Sequence, residues 1–316
     1  MGKFENGSRV LVTGGAGFIG SHLVDEYLAR GCSVTAVDNY CTGSPKNLAS
    51  HPGLTVVEAD VSEGLPLPEE PYDLVLHFAC PASPVDFETL PVEILKVDSA
   101  GTFHALDRAK RDGARFLMAS TSEVYGDPQV HPQPEEYWGN VNPNGPRSCY
   151  DEAKRFSEAA TFTYRRQGLD AAIVRIFNTY GPRNRPDDGR VIPNFINKAL
   201  AGEPLPIYGT GEQTRSICYI DDLVSGITAL AESGEAGPVN LGSVYELTVK
   251  DIADTIVRLT GSQSEVEYHP AREDDPERRR PDLAKARELL GYEPQISYEA
   301  GLKSTIDYFR QLAATP

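Results

Sequence analysis

The sequence predicts an α/β protein: a doubly wound parallel sheet followed by a smaller α/β C-terminal lobe that binds substrate. Three observations carry this. Short apolar runs recur as far as Ile176, helical stretches separate them, and a glycine-rich turn follows the first run. Near-continuous apolar strands alternating with helices mark a parallel sheet covered on both faces. The first run is Arg9 to Thr13 (RVLVT), and a helical stretch leads from the turn to Arg30. Ser33 to Asp38, Thr55 to Asp60, Leu74 to Ala79 and Arg115 to Ser120 continue the series, with one helix from Pro91 to Lys110. A helix beginning near Cys149 leads into a further strand, Ala171 to Ile176.

After Asn178 the texture changes. Gly181 to Arg190 (GPRNRPDDGR) reads as a loop that lines a site. A helix from Pro193 to Ala201, an extended piece around Ile207, a helix from Asp221 to Glu232 and a strand from Pro238 to Gly242 follow. Helices are expected at Val249 to Thr260, Asp282 to Leu290 and Tyr298 to Gln311. The expected division is a sheet domain of residues 1–178 and 216–244, and a lobe of residues 179–215 and 245–316.

Composition narrows the function. The chain has 316 residues, 40% of them hydrophobic and 24% charged, as in an ordinary soluble globule. A formal charge of -16 repels nucleic acid and anionic membranes, so neither is an expected partner. No run approaches the ~20 apolar residues of a membrane span, and Met1 to Gly7 does not read as a signal peptide. Five scattered cysteines (Cys32, Cys41, Cys80, Cys149, Cys218) without a CxxC pair fit reduced thiols in a cytoplasm. The six histidines are dispersed, so no metal site is expected.

Thr13 to Gly20 reads TGGAGFIG, with Gly14, Gly17 and Gly20 at three-residue spacing between a strand and a helix. That is the Rossmann pattern for a dinucleotide: tight turn, close backbone approach to a pyrophosphate, and close packing of helix on sheet. Asp38 ends the next strand, where a carboxylate accepts from both adenosine ribose hydroxyls and repels a 2′-phosphate. The cofactor expected is therefore NAD. Asp60, with Val61 beside it, is placed either to hold the adenine edge or to cap a helix.

Tyr150 and Lys154 (YDEAK) are four apart and share a helix face. The ammonium, with the positive nicotinamide ring, is expected to bring the tyrosine pKa towards neutrality, so that a phenolate takes a hydroxyl proton. Ser120-Thr121-Ser122-Glu123 closes the strand before it, at the carboxyl edge where doubly wound folds put their sites.

Together the TGxxGxxG turn, the Ser/Thr strand end and the YxxxK resemble the extended short-chain dehydrogenase/reductase family of sugar-nucleotide epimerases, dehydratases and decarboxylases. The likeness runs on through FNTYGPR (Phe177 to Arg183) and GTGEQTRSICYIDD (Gly209 to Asp222). Two stretches are similar to UDP-glucuronate decarboxylases in particular: Thr121 to Lys154, with the single Trp138, and DDPERRRPD at Asp274 to Asp282. Dehydratases of the family usually carry an aspartate where this chain has Ser122.

The resemblance implies NAD-dependent oxidation at C4 of UDP-glucuronate, loss of the carboxylate, and re-reduction to UDP-xylose. It implies Thr121, Glu123, Tyr150, Lys154 and Arg279 as catalytic residues. Arg279 on its own reads as part of a solvated charge run. Around the cofactor it implies Gly14, Gly17, Phe18, Ile19, Asp38, Asn39, Asp60, Val61, Ala79, Tyr150 and Lys154. Around the UDP-sugar it implies Ser122, Asn178, Arg183, Arg185, Val191, Gln213, Arg215 and Arg279, with Arg215 suited to the diphosphate. A homodimer is also implied. Two departures stand out: Asp98-Ser99-Ala100-Gly101-Thr102 replaces a usual N-V-x-G-T, and Phe87, Thr89 and Leu90-Pro91 replace tyrosines and an Asn-Pro. They put the sugar contacts of that loop in question. The rival readings are a decarboxylase that releases a 4-keto pentose and NADH, a 4-epimerase or 4,6-dehydratase, and a non-catalytic NAD-binding regulator.

Overall fold

The chain begins with strands whose side chains are apolar on both faces. In the computed structural model, which describes residues 2–271 and 278–314, the first half comprises β1 (Arg9–Thr13), α1 (Phe18–Ala29), β2 (Ser33–Asp38), β3 (Leu54–Glu58), β4 (Leu74–His77), α2 (Pro84–Thr89), α3 (Pro91–Lys96), α4 (Thr102–Asp112), β5 (Arg115–Thr121), α5 (Ser148–Arg166) and β6 (Ala171–Ile176). The rest comprises β7 (Thr179–Tyr180), α6 (Val191–Ala201), β8 (Leu205–Tyr208), β9 (Thr214–Ser216), β10 (Cys218–Tyr219), α7 (Ile220–Glu232), β11 (Val239–Leu241), β12 (Glu246–Thr248), α8 (Val249–Thr260), β13 (Val266–His269), β14 (Arg278–Arg279), α9 (Ala284–Leu290) and α10 (Tyr298–Ala314).

Seven strands form one sheet in the order β11-β6-β5-β4-β1-β2-β3, and every pairing in it is parallel. Alternation along β1 feeds two cores: Val10 and Val12 pack on one side of the sheet, Leu11 on the other. The chain winds outward from β1 in one direction and then, from β4, in the other. The crevice at that reversal lies beyond the carboxyl ends of β1, β4 and β5, where such sheets bind ligands. Beside it, β9 sits between antiparallel β12 and parallel β14, and β8 pairs with β13. Of the DDPERRRPD stretch, Asp274 to Glu277 lie outside the described residues, while Arg278 and Arg279 form β14.

Two differences from the sequence expectation bear on the site. The strand read as Thr55 to Asp60 ends at Glu58, so Asp60 stands in the turn beyond it. The helix expected from Pro91 to Lys110 is interrupted by a π-turn at Val97–Gly101. Helical periodicity carries no mark of this. The turn is held by the Asp98 carbonyl, which accepts from Ser157 Oγ at 2.5 Å, and it drives the Asp98 side chain into the interior, 0% exposed. Such bulges recur at functional sites. Among the described residues, no helix is long and apolar enough to cross a membrane.

Candidate active site

The turn after β1 is shaped for a ligand. Gly14 has φ +71, and a Cβ there would stand 2.7 Å from the Phe78 carbonyl and the Ala79 nitrogen. Only glycine permits this approach of the turn to β4. Gly17 caps α1 without a side-chain hydrogen bond, which leaves backbone donors and the positive end of the helix dipole for an anion. Gly14, Gly17, Phe18 and Ile19 line one cavity, together with Thr121, Ser122, Glu123, Tyr150 and Lys154. Gly14 and Gly17 also line an adjoining one with Asp38, Asn39, Asp60, Val61 and Ala79. Every residue expected at the cofactor thus lines one or the other of these two adjoining cavities. A pyrophosphate cradle with a carboxylate one strand further on fits NAD.

Asp38 is 8% exposed, and its carboxylate accepts from Ala16 N at 2.9 Å and Tyr40 N at 2.8 Å. Burial pushes its pKa up, against those hydrogen bonds. Asp60 caps no helix. Its carboxylate accepts from Ser62 N, Ser62 Oγ and Asn39 Nδ2. Burial pushes its pKa up, but the Ser62 and Asn39 donors outweigh that and hold it low.

Thr121, the last residue of β5, accepts from Glu123 N at 3.2 Å and lines the same cavity as Tyr150. Ser120 points elsewhere, donating to Glu158. Tyr150, in the first turn of α5, is 6% exposed, with Lys154 Nζ 5.7 Å from its ring centroid. Lys154 in turn bonds Asp98 Oδ1 at 2.8 Å and the Ala119 carbonyl at 3.2 Å. Burial would lower the Lys154 pKa, but Asp98 holds it well above the usual lysine value.

The expected fall of the Tyr150 pKa is not produced by the protein groups alone. Burial pushes it up; Lys154 and Thr121 pull it down, while the Cys80 and Asp98 charges add to the rise. A fall towards neutrality therefore has to come from the positive ring of the bound cofactor. Asp98 explains why Lys154 falls short: much of its field is spent on a carboxylate at contact distance. The departures have concrete consequences here. Phe87 stacks on Tyr150, centroids 4.9 Å apart, so the apolar ring fixes the base from one face. Thr89 turns away, donating to the Val85 carbonyl.

Glu123 sits in the 3₁₀ turn after β5, between two guanidiniums. Arg279 reaches both carboxylate oxygens, Nη2 to Oε2 at 2.9 Å, and Arg147 Nη2 lies 2.5 Å from Oε2. Burial raises the Glu123 pKa, but the two arginines bring it down to about 2. Arg279, expected on its own to be solvated, is 4% exposed. Gln133 sets it in place: its backbone N–H donates to the Arg280 carbonyl, its carbonyl accepts from Asp282 N, and its side chain accepts from Arg280 N. The loop after β5 thereby pins β14 against the site.

Asn178, Val191, Gln213, Arg215 and Arg279 line a second large cavity with Glu123 and Arg147. Arg183 and Arg185 line the cavity on the cofactor side instead, held by Asp25 at 2.5 Å and Asp86 at 2.6 Å. Asn178 borders both. Sequence reasoning missed Arg147 and Asp151 and read Asp98 only as a departure. Arg147 lies inside the quoted Thr121 to Lys154 block, immediately before α5.

Comparison with known proteins accords with this geometry. Residues 10–243 match the family model described as NAD dependent epimerase/dehydratase family. UDP-glucuronic acid decarboxylase 2 of Arabidopsis thaliana is 49% identical over 98% of this chain and 70% of its own length. UDP-glucuronic acid decarboxylase 1 of Xenopus tropicalis is 49% identical over 96% of this chain and 72% of its own. Among solved structures, UDP-glucose 4-epimerase of Thermotoga maritima with UDP-glucose superposes with a TM-score of 0.88 at 31% identity, covering 96% of this chain and 99% of that one. The dTDP-glucose 4,6-dehydratase of Streptomyces venezuelae, with NAD bound, gives 0.87 at 30% identity, covering 97% and 98%.

Proposed function

The chain belongs to the NAD dependent epimerase/dehydratase family, and from that premise we propose that it converts UDP-glucuronate into UDP-xylose and carbon dioxide. The observation that carries this reading is the buried Glu123–Arg279–Arg147 cluster beside Thr121, Tyr150 and Lys154. It puts two guanidiniums for a substrate carboxylate next to an alcohol-oxidising base. Ser122, where a dehydratase needs an acid, supports it further.

In this reading Asn178, Val191, Gln213 and Arg215 hold the UDP, with Arg183 and Arg185 towards the cofactor side, and Arg279 and Ser122 meet the sugar. Asp38 and Asp60 take the adenosine, and Gly14, Gly17, Phe18 and Ile19 the pyrophosphate, alongside Asn39, Val61 and Ala79. When bound, NAD supplies a reversible hydride acceptor and a positive ring charge. Tyr150 takes the 4-hydroxyl proton, with Thr121 sharing that oxygen and Lys154 stabilising the phenolate. With C4 a ketone, the carboxylate β to it leaves as carbon dioxide and its bonding pair becomes an enolate. Arg279 holds the carboxylate in line with the ketone π system and Glu123 holds Arg279. After protonation at C5, Tyr150 returns its proton to the C4 oxygen.

The sheet domain of residues 1–178 and 216–244 would serve the NAD, and residues 179–215 and 245–316 the sugar nucleotide. A cytoplasmic homodimer belongs to the same proposal. Val92, Leu95, Phe103 and Phe156 are exposed on α3, α4 and α5, an apolar face that a second copy would cover. Incubation of the purified protein with UDP-glucuronate, followed by NMR, tests the reaction. UDP-xylose without net NADH is expected. A 4-keto pentose with stoichiometric NADH would favour the decarboxylase that stops early, and UDP-galacturonate would mean an epimerase.

A further inference from the structure

If the proposed reaction is right, its balance leaves one proton to be found. UDP-glucuronate loses carbon dioxide and C5 gains a hydrogen, while the proton on Tyr150 cycles back to the oxygen it left. Each turnover therefore consumes one proton from solvent, and the Tyr150–Lys154 pair cannot supply it.

A separate polar cavity of about 220 Å³ lies beside Glu123, lined by Glu123, Asp127, Asn140, Asn142, Arg147 and Asp151 among others. It is large enough for several waters. Glu123 and Arg147 also line the cavity that holds Arg215 and Arg279, so these two side chains form the wall between the two spaces. Asp151 is 5% exposed, and its Oδ1 is buried with no hydrogen-bond partner. An unpaired buried carboxylate oxygen is costly when ionised and cheap when the carboxyl is protonated. The charged groups around it are Glu123 from the turn after β5, Arg147 before α5, Arg279 from β14, and Glu152 next to it.

We propose that Asp151 stores the solvent-derived proton for C5 and delivers it through cavity water along the Glu123–Arg147 wall. Asp151 acts through that water and is a positioning residue for that proton. Its O–H bond breaks as a cavity water gains the proton, and that water gives up one of its own protons to C5 in the same step, where the enolate pair forms the new C–H bond and the C4 ketone is restored. The Asp151 carboxylate is then reprotonated from solvent through the cavity. Burial and the Glu123 charge push its pKa up, to about 7, against the pull of Arg147 and Arg279, so the carboxyl holds a proton near neutrality.

The test is rapid-quench kinetics on the NAD-loaded enzyme with UDP-glucuronate, following carbon dioxide, UDP-xylose and the nicotinamide absorbance. In wild type, UDP-xylose formation should fall as pH rises through about 7, while the first-turnover burst of carbon dioxide does not. Asp151→Asn should keep that burst, slow UDP-xylose formation about tenfold or more, and accumulate reduced nicotinamide; Asp151→Glu should restore much of the rate. A variant that makes UDP-xylose at the wild-type rate overturns the proposal, and so does one in which burst and product fall together. The wild-type pH comparison stands even if the variant fails to fold: parallel pH profiles for both products also overturn it. A wild type that releases no carbon dioxide refutes the decarboxylase reading itself.

Discussion

The half of the site that would oxidise and the half that would hold the carboxylate are assembled differently. Thr121, Tyr150, Lys154 and Asp98 come from β5, α5 and the π-turn, three neighbours packed on one sheet. Glu123 and Arg279 are 156 residues apart and meet because Gln133 pins β14 to the loop after β5. The first half can treat any hydroxyl held against Tyr150 in the same way. In the proposed reaction the second would discriminate by what hangs on C5, and so would carry the choice of reaction.

Removing the base should break both halves at once. Tyr150→Phe is expected to lower kcat by ~10²–10⁴, with carbon dioxide and UDP-xylose falling together and NAD affinity little changed. Near-normal turnover, by NMR, would remove Tyr150 from the mechanism.

Arg279→Ala should separate the halves. It takes away a donor pair aimed at the carboxylate, an effect of about 10² on kcat for a group serving the transition state. UDP binding, measured by calorimetry, should change far less. A rise in KM alone would make Arg279 a uniform-binding residue.

On the redox side, Asp38 should favour NAD over NADP by about tenfold or more, through repulsion of the 2′-phosphate by a carboxylate at close range. Equal affinities in titration calorimetry would take Asp38 away from the ribose.

The smallest effect concerns Asp98, which spends the Lys154 field. Asp98→Asn removes a negative charge near Tyr150, so the phenol should ionise more easily. Because the base must be deprotonated to act, the low-pH limb of the kcat profile should move to lower pH, by about one unit. An unmoved limb would mean that Asp98 only holds Lys154 in place.

The two halves were also unequally legible. Tyr150 and Lys154 are four apart on one helix, and the glycine turn announces its own backbone geometry, so their placement followed from local spacing. Arg279 lies in an ERRR run that alone reads as solvated; only the likeness to decarboxylases singled it out, and the Gln133 clamp that buries it is a contact between distant segments. The π-turn was invisible because one extra residue in a turn leaves the apolar pattern of residues 91–110 helical. Asp151 shares the helix face pattern with its neighbours and shows its unpaired oxygen only in three dimensions.

The claim that the two halves act in sequence on one bound sugar is tested most directly with UDP-glucuronate carrying deuterium at C4. After turnover without added NAD, NMR should find UDP-xylose with the deuterium still at C4 and a solvent-derived hydrogen at C5. Loss of the C4 label, or a product that keeps its carboxylate, would contradict it.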